Sequence, residues 1–333
     1  MFRSPRAWLL AVLVVPALAL AGCSGDNAVN KPKDSGSAAA GGGGQGKYGY
    51  KIAVVTHGSS GDAFWSIVKA GAQKAGTDLG DTVTYESDGD PQKQAQLIDA
   101  AVNQKVDGLV VSMANPGALK ASIQKAVAAG IPVITINSGA SESKNVGALS
   151  HIGQDESVAG NAVGANLKAA GVKNVICVIQ EAGNVGLEER CNGVKASLGG
   201  TVTNIQVDNN NLPAAQATIK AKLQTDKSID GVVTLGGQVA IVASNAITEA
   251  NSTAKLATFD LNADVAKGVS SGKILFAVDQ QPFLQGYLGV QMLTLYKSNL
   301  NVLGGGQTVL TGPTLVTKDN AAQIEKLAAA GTR

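Results

Sequence analysis

Residues 51–79, KIAVVTHGSSGDAFWSIVKAGAQKAGTDL, carry the pattern that decides the fold. Lys51–Thr56 is a short run dominated by Ile and Val, the composition of a strand covered on both faces. A polar turn with Gly58 and Gly61 follows. From Phe64 onward the apolar period changes: Phe64, Ile67, Val68, Gly71, Ala72, Ala75 and Leu79 share one face at helical spacing. Strand, turn and amphipathic helix make the first unit of a parallel α/β sheet.

The same grammar continues outward. Strands are expected at Val83–Glu86, Gly108–Met113 and Val133–Asn137, with helices at Gln92–Gln104 and Ala118–Ala129. A polar, Gly-containing break at Ser141–Ser150 is the expected crossover between two lobes. A second series then follows: helix Glu156–Ala170, strand Asn174–Ile179, helix Leu187–Leu198, strand Val202–Val207 and helix Pro213–Gln224. Strand Gly231–Leu235, helix Val239–Ala250, strand Leu256–Phe259, helix Ala263–Ser271 and strand Ile274–Val278 complete it. The fold class is therefore α/β, two doubly wound parallel-sheet lobes joined by a hinge. The expected division is 48–152 plus 281–309 for the N-terminal lobe and 153–280 plus 310–333 for the C-terminal lobe.

Composition agrees with two folded lobes. The chain has 333 residues, 44% hydrophobic, 16% charged and only 4% aromatic, which supplies a large apolar core and speaks against disorder over most of its length. The formal charge of +2 falls to zero once Arg3 and Arg6 of the leader are set aside. A neutral chain without a basic stripe lacks the electrostatic footprint of a nucleic-acid binder. It equally lacks a polybasic membrane patch.

The N-terminus reads as an address. Arg3 and Arg6 precede an apolar run from Trp8 to Ala21, too short to span a bilayer comfortably and laid out like an export signal. It ends in Leu20-Ala21-Gly22-Cys23, which resembles the bacterial lipobox. The resemblance implies cleavage before Cys23, placing the signal peptide at 1–22, with lipid attached to the Cys23 thiol. An ordinary signal peptide with an incidental cysteine, or a plain membrane anchor, is the alternative. Residues 23–47 are rich in Gly, Ser, Ala and Lys and form an expected flexible tether.

Open α/β sheets bind ligands beyond the carboxyl ends of their strands, so function is sought in residues that follow strands. Catalytic patterns are missing. The two histidines, His57 and His151, stand far apart, and no Cys/His cluster has metal spacing. Neither a G-x-S-x-G elbow nor a phosphate loop occurs. No enzyme activity, cofactor or metal is expected. Polar residues collect at strand ends instead: His57 to Asp62 before Phe64-Trp65, then Asn137-Ser138, Asn184 leading to Arg190, Asp260, and Asp279 to Pro282. Carboxylates accept, guanidinium and amide groups donate, and aromatic planes cover C–H faces, which is the equipment for a sugar.

Over roughly residues 50–315 the chain resembles the periplasmic sugar-binding proteins of the ribose/galactose type, class I receptors of ABC importers. The resemblance rests on Asp62-Ala63-Phe64-Trp65 with Gly71-Ala72-Gln73-Lys74, and on Ala128-Ala129-Gly130-Ile131-Pro132-Val133-Ile134. It continues through His151-Ile152-Gly153-Gln154-Asp155, Arg190 ahead of Gly193, Phe259-Asp260, and Asp279-Gln280-Gln281-Pro282 to Gly286. It implies that Phe64 and Trp65 sandwich the ring, and that Arg190, Asp260 and Gln280 bind from the second lobe and hinge. Asp62 joins them at the head of the first helix. Asn137 and Ser138 stand where ribose binders carry Asp-Arg, which argues against ribose itself. Gly236 stands where the family has a strand-end Asn, and Asn210 or Asn211 where it has an aromatic. Each residue also has a plainer reading: core packing for Phe64 and Trp65, a solvated helix charge for Arg190, and a helix N-cap before 263–271 for Asp260.

Cys177 and Cys191 are expected to form a disulfide in an exported chain, two buried free thiols being the alternative. The implied mechanism is hinge closure around a sugar or polyol by a monomer anchored to the outer face of the cell membrane, followed by delivery to an importer permease. A signalling or chemotaxis receptor would share the same fold and pocket. A sugar-responsive regulator would need a helix-turn-helix where the export signal lies. Asp260→Ala and Arg190→Ala are expected to weaken binding with little change in the melting temperature of the empty protein.

Overall fold

The computed structural model describes residues 48–333, Ser60 excepted. The expected export signal at 1–22, Cys23 and the expected tether at 23–47 lie outside the described residues.

The first series runs β1 (Lys51–Thr56), α1 (Ala63–Leu79), β2 (Thr82–Ser87), α2 (Pro91–Asn103), β3 (Gly108–Ser112), α3 (Pro116–Ala128), β4 (Val133–Ile136) and β5 (Ser150–Gly153). The second runs α4 (Glu156–Ala169), β6 (Asn174–Ile179), α5 (Val185–Leu198), β7 (Thr201–Gln206), α6 (Leu212–Thr225) and β8 (Gly231–Thr234). It continues with α7 (Gly237–Glu249), β9 (Lys255–Phe259), α8 (Ala263–Ser271) and β10 (Phe276–Asp279). The chain then adds α9 (Pro282–Asn299), β11 (Val309–Leu310), β12 (Thr314–Val316) and α10 (Ala321–Ala329).

These strands form two six-stranded sheets, ordered β11-β5-β4-β3-β1-β2 and β12-β10-β9-β8-β6-β7. All pairings are parallel except β12 against β10. Within each sheet the order reverses at the strand next to one edge, β1 in the first and β6 in the second. A crevice opens at such switch points beyond the strand ends. Apolar side chains cover both faces of each sheet, which is why β3, β4 and β8 are buried throughout. The edge strands β2 and β7 are more exposed and more polar.

Local chemistry sets the helix starts. Asp62, Asp90, Asn115, Asp155, Asn184, Asn211 and Asn262 each accept a hydrogen bond from a first-turn amide of the following helix. Glycines let two helix pairs touch at backbone distance. A Cβ on Gly71 would lie 2.0 Å from Phe283 O, and one on Gly286 would lie 2.0 Å from Val68 O. Gly160 and Gly193 play the same part between α4 and α5.

The segment Ser141–Ser150 is not the crossover. It holds a 3₁₀ turn at Ala140–Glu142 pinned to β4 by the 2.6 Å contact of Thr135 and Ser143, and Ser150 opens β5 of the first sheet. The four-residue strand Ser150–Gly153 begins with two polar residues, so its sequence carries no apolar run to announce it. The chain passes between sheets at Gln154, Gln281 and Gly312. The passages are stitched together: Gln281 Nε2 donates to Thr311 O at 2.8 Å, and Gln285 Nε2 reaches Gln280 O and Thr311 Oγ1. Among the described residues no helix is long and apolar enough to cross a membrane.

Candidate functional site

A narrow cavity of about 40 Å³ lies between the carboxyl ends of the two sheets. Asp62, Phe64, Trp65, Asn137, Ser138, Arg190, Asp260 and Gln280 all line it. Their positions in sequence span more than two hundred residues, and the shared geometry of strand ends brings them together.

The aromatic pair serves wall and core at once. Phe64 and Trp65 are 8% and 6% exposed, meet edge-to-face with centroids 5.0 Å apart, and belong to the cluster under α1. Trp65 is further fixed by His57, 4.6 Å away, and by Gly58, where a Cβ would fall 2.4 Å from the indole.

A buried polar chain crosses between the sheets. Gln280 Nε2 donates to Asp260 Oδ1 at 2.6 Å, while Gln280 Oε1 accepts from Asn137 Nδ2 at 3.1 Å. Ser138 Oγ stands 3.0 Å from Asn137 Oδ1 and 3.3 Å from Asn184 Oδ1. Asp260 and Asn137 both adopt left-handed backbone, φ 66° and 64°, which turns their side chains back over the strand ends. Asn262, not Asp260, caps α8, its Oδ1 accepting from Val265 N at 2.8 Å. Asp260 is thereby left to the cavity.

Arg190 is no solvated charge, being 2% exposed. Its Nε and one terminal nitrogen donate to Glu156 at 2.5 and 2.9 Å, and the other terminal nitrogen donates to Leu235 O at 3.1 Å. The guanidinium also lies 4.7 Å over the Phe259 ring. Burial works against its charge, but the charge and hydrogen bonds of Glu156, with Asp260 and Glu181 behind them, hold its pKa above the ordinary value. Cys191, next in sequence, is bonded to Cys177 of β6, which ties the middle of α5 to the sheet.

The loop after β7 presents Asn209 to the cavity, whereas Asn210 lines a larger neighbouring cleft and Asn211 caps α6. Three adjacent asparagines give the sequence no means of choosing among them. Gly236 stands on the wall, and a Cβ there would come 2.9 Å from Gln180 Nε2, so the glycine leaves room for that amide. Sequence reasoning also missed Glu181, which faces His57 Nε2 at 3.6 Å across the cleft. Asn184 Nδ2 donates to the same carboxylate at 2.6 Å.

Burial dominates the electrostatics. It raises the Asp260 carboxyl to about 7, against the pull of Arg190 and Gln280. It raises Asp62 to about 6, with Glu181 adding to the effect. His57 is lowered to about 3, by burial first and Arg190 second, and its Nδ1 sits 2.6 Å from Ser112 Oγ. Among the described residues no group of three His, Cys, Asp or Glu is placed to hold a metal.

Two like sheets with a polar, aromatic-walled cavity at facing strand ends define a two-lobed solute receptor. The sequence signature described as the periplasmic binding protein domain matches residues 52–299, and the chain belongs to that family, among its type I sugar-binding proteins. It is 30% identical to the ribose import binding protein RbsB of Haemophilus influenzae over 241 residues, 68% of this chain and 79% of that one. It is 25% identical to the xylose/arabinose-binding protein XylF of Sulfolobus acidocaldarius over 266 residues, 74% of this chain, and spans 63% of that relative's length. A solved carbohydrate transporter from Acidothermus cellulolyticus 11B, in complex with myo-inositol, matches with a TM-score of 0.84 and 46% identity over 86% of this chain and 100% of that one.

Proposed function

We propose that this chain is the lipid-anchored receptor of an ABC importer and that its cavity closes around a cyclic polyol of the myo-inositol class. The observation that carries the reading is the Asp260–Gln280–Asn137 chain, which lines the cavity from both sheets. Acceptors and donors alternate along it, as hydroxyls that both donate and accept require. Asn137 and Ser138 are neutral, which suits a ring of hydroxyls with no charged substituent. The 46% likeness to a structure in complex with myo-inositol supports the same class.

Closure is the proposed mechanism. Contacts already cross the cleft: Gln238 Nε2 donates to Gly61 O at 3.0 Å, and Val185 N donates to Ala114 O at 3.0 Å. A guest between the sheets adds to them, and the crossings at Gln154, Gln281 and Gly312 serve as the hinge. A guest lacking one hydroxyl leaves a buried partner unpaired, at a cost of roughly 1–3 kcal/mol. Selectivity follows from that difference. The lipobox-like Leu20-Ala21-Gly22-Cys23 after an apolar run supports export and anchoring through Cys23 at the outer face of the cell membrane. Fatty-acid label on the wild type and its loss in Cys23→Ala test the anchor.

A thermal-shift panel of cyclitols, alditols, pentoses and hexoses tests the ligand class, because binding to the native state raises its stability. Myo-inositol or a stereoisomer should give the largest shift. A pentose or hexose above every cyclitol would overturn the assignment.

A further inference from the structure

Gln285 stands outside the cavity and touches its wall through Gln280. It lies in the first turn of α9, where the left-handed Gln281, φ 54°, folds the helix back over the second passage between the sheets. The side chain is fully buried. Its Nε2 meets three acceptors: Gln280 O at 3.1 Å, Gln280 Oε1 at 3.1 Å and Thr311 Oγ1 at 3.2 Å. Two amide protons are shared among them. Among the described residues Gln285 Oε1 has no donor in reach, so no competing contact holds the amide the other way round.

The partners of a buried amide decide which end is nitrogen. For Gln285 the deciding partner is the backbone carbonyl Gln280 O, which only accepts, so nitrogen must face it. The same nitrogen lies against the Gln280 side chain and requires an oxygen there. Gln280 Oε1 takes that place and also accepts from Asn137 Nδ2 at 3.1 Å, which leaves Gln280 Nε2 for Asp260 Oδ1 at 2.6 Å. Asn137 and Asp260 cannot impose this order themselves. The Asn137 amide can turn over, and a protonated Asp260 can donate as well as accept. Only the backbone carbonyl has a single polarity. Both lone pairs of Gln280 Oε1 are then taken, by Asn137 and Gln285, and one Nε2 proton is taken by Asp260. Gln280 keeps a single group for a guest, its second Nε2 proton.

We propose that Gln285 is a positioning residue of the binding site. Held by the Gln280 carbonyl, it fixes the orientation of the Gln280 amide, so that Gln280 donates to the guest and does not accept from it. The direction of the whole Asp260–Gln280–Asn137 chain is thereby set from the hinge side, by a residue that never meets the guest. This role belongs to the polyol site proposed above and rests on that reading for its guest.

Two measurements on the chain from Cys23 onward test it: calorimetry with myo-inositol, and solvent exchange of side-chain amide protons by NMR without ligand. Gln285→Met removes both amide protons at nearly constant volume. Thr311→Val removes a different acceptor of the same amide and controls for stitching of the passages alone. Affinity should fall at least about tenfold in Gln285→Met and less than about twofold in Thr311→Val. In a Gln280→Met background, Gln285→Met should cost less than about twofold more, because its route to the guest is gone. Without ligand, the Gln280 amide protons, assigned by their loss in Gln280→Met, should exchange at least about tenfold faster in Gln285→Met and within about twofold of wild type in Thr311→Val. If Gln285→Met does not fold, Gln285→Asn replaces it with the same expected outcomes, its amide being one methylene short of Gln280 O. Equal losses of affinity in Gln285→Met and Thr311→Val would overturn the proposal, as would a full loss from Gln285→Met when residue 280 is already Met. Unchanged exchange of the Gln280 amide in Gln285→Met would overturn it too. Failure of myo-inositol to bind wild type would remove the cyclitol reading, and the ligand-free exchange would still decide whether Gln285 holds Gln280.

Discussion

Arg190 and Glu156 form a buried fork, Nε to Oε2 at 2.5 Å and a terminal nitrogen to Oε1 at 2.9 Å, with both side chains 2% exposed. Gln154 Nε2 donates to the same Glu156 Oε2 at 2.7 Å. A cavity-wall cation is thus linked through one carboxylate to the first passage between the sheets.

That linkage revises the expectation that Arg190→Ala leaves the empty protein's stability unchanged. Removing one member of a buried pair strands the other, at about 3–5 kcal/mol. Chemical denaturation of ligand-free Arg190→Ala should show a loss of that order, and a variant as stable as wild type would refute the pairing's structural role.

Gly58 sets the position of the ring platform. Gly58→Ala would drive a methyl into the Trp65 indole, which stands 2.4 Å from the new Cβ. Overpacking of this kind costs about 1–3 kcal/mol. Trp65 is the sole Trp after residue 22, so the fluorescence of a chain starting at Cys23 should change on ligand binding. Gly58→Ala should alter that signal and weaken binding. Unaltered affinity and emission would show that the ring does not depend on this contact.

Asp260 makes stability depend on pH in a defined direction. Its pKa rises from 3.8 to about 7 on folding, chiefly through burial. Between those values the folded state holds a proton that the unfolded chain has released, so this carboxyl favours folding as pH falls through 7 and opposes it above. His57 and His151, lowered from 6.5 to about 3 and about 4, act oppositely below pH 6.5. Comparison with Asp260→Asn isolates the carboxyl. The stability of wild type relative to that variant should grow by more than about 1 kcal/mol from pH 7.5 to 5. A difference independent of pH would contradict the buried, proton-holding Asp260.

Much of this architecture is written locally. Ile-Val runs alternating with amphipathic helices mark β1, β3, β6 and their neighbours, because burial on both sides demands apolar side chains throughout. Strands β5, β11 and β12 escape notice, being two to four residues long, with polar residues opening β5 and β12. The site is legible as residues that follow strands, but not as contacts. Glu156 lies 34 residues from Arg190, and nothing local singles it out from the other acids. Asp260 and Asn262 are equally suited to cap α8, and only backbone geometry assigns the cap to Asn262. Asn209, Asn210 and Asn211 differ by register alone.

The disulfide between Cys177 and Cys191 closes a short loop, 14 residues apart in sequence, that carries Asn184 and Arg190. Cys177→Ala with Cys191→Ala should lower unfolding free energy by about 2–4 kcal/mol. Unchanged stability, or two alkylatable thiols in the folded wild type, would show that the bond does no such bracing.

Isothermal titration of myo-inositol into the chain from Cys23 onward tests the site between the two sheets. One molecule should bind saturably per chain, at least about tenfold more weakly in Asp260→Ala. No heat at millimolar ligand, or equal affinity in that variant, would contradict a polyol site between the two sheets.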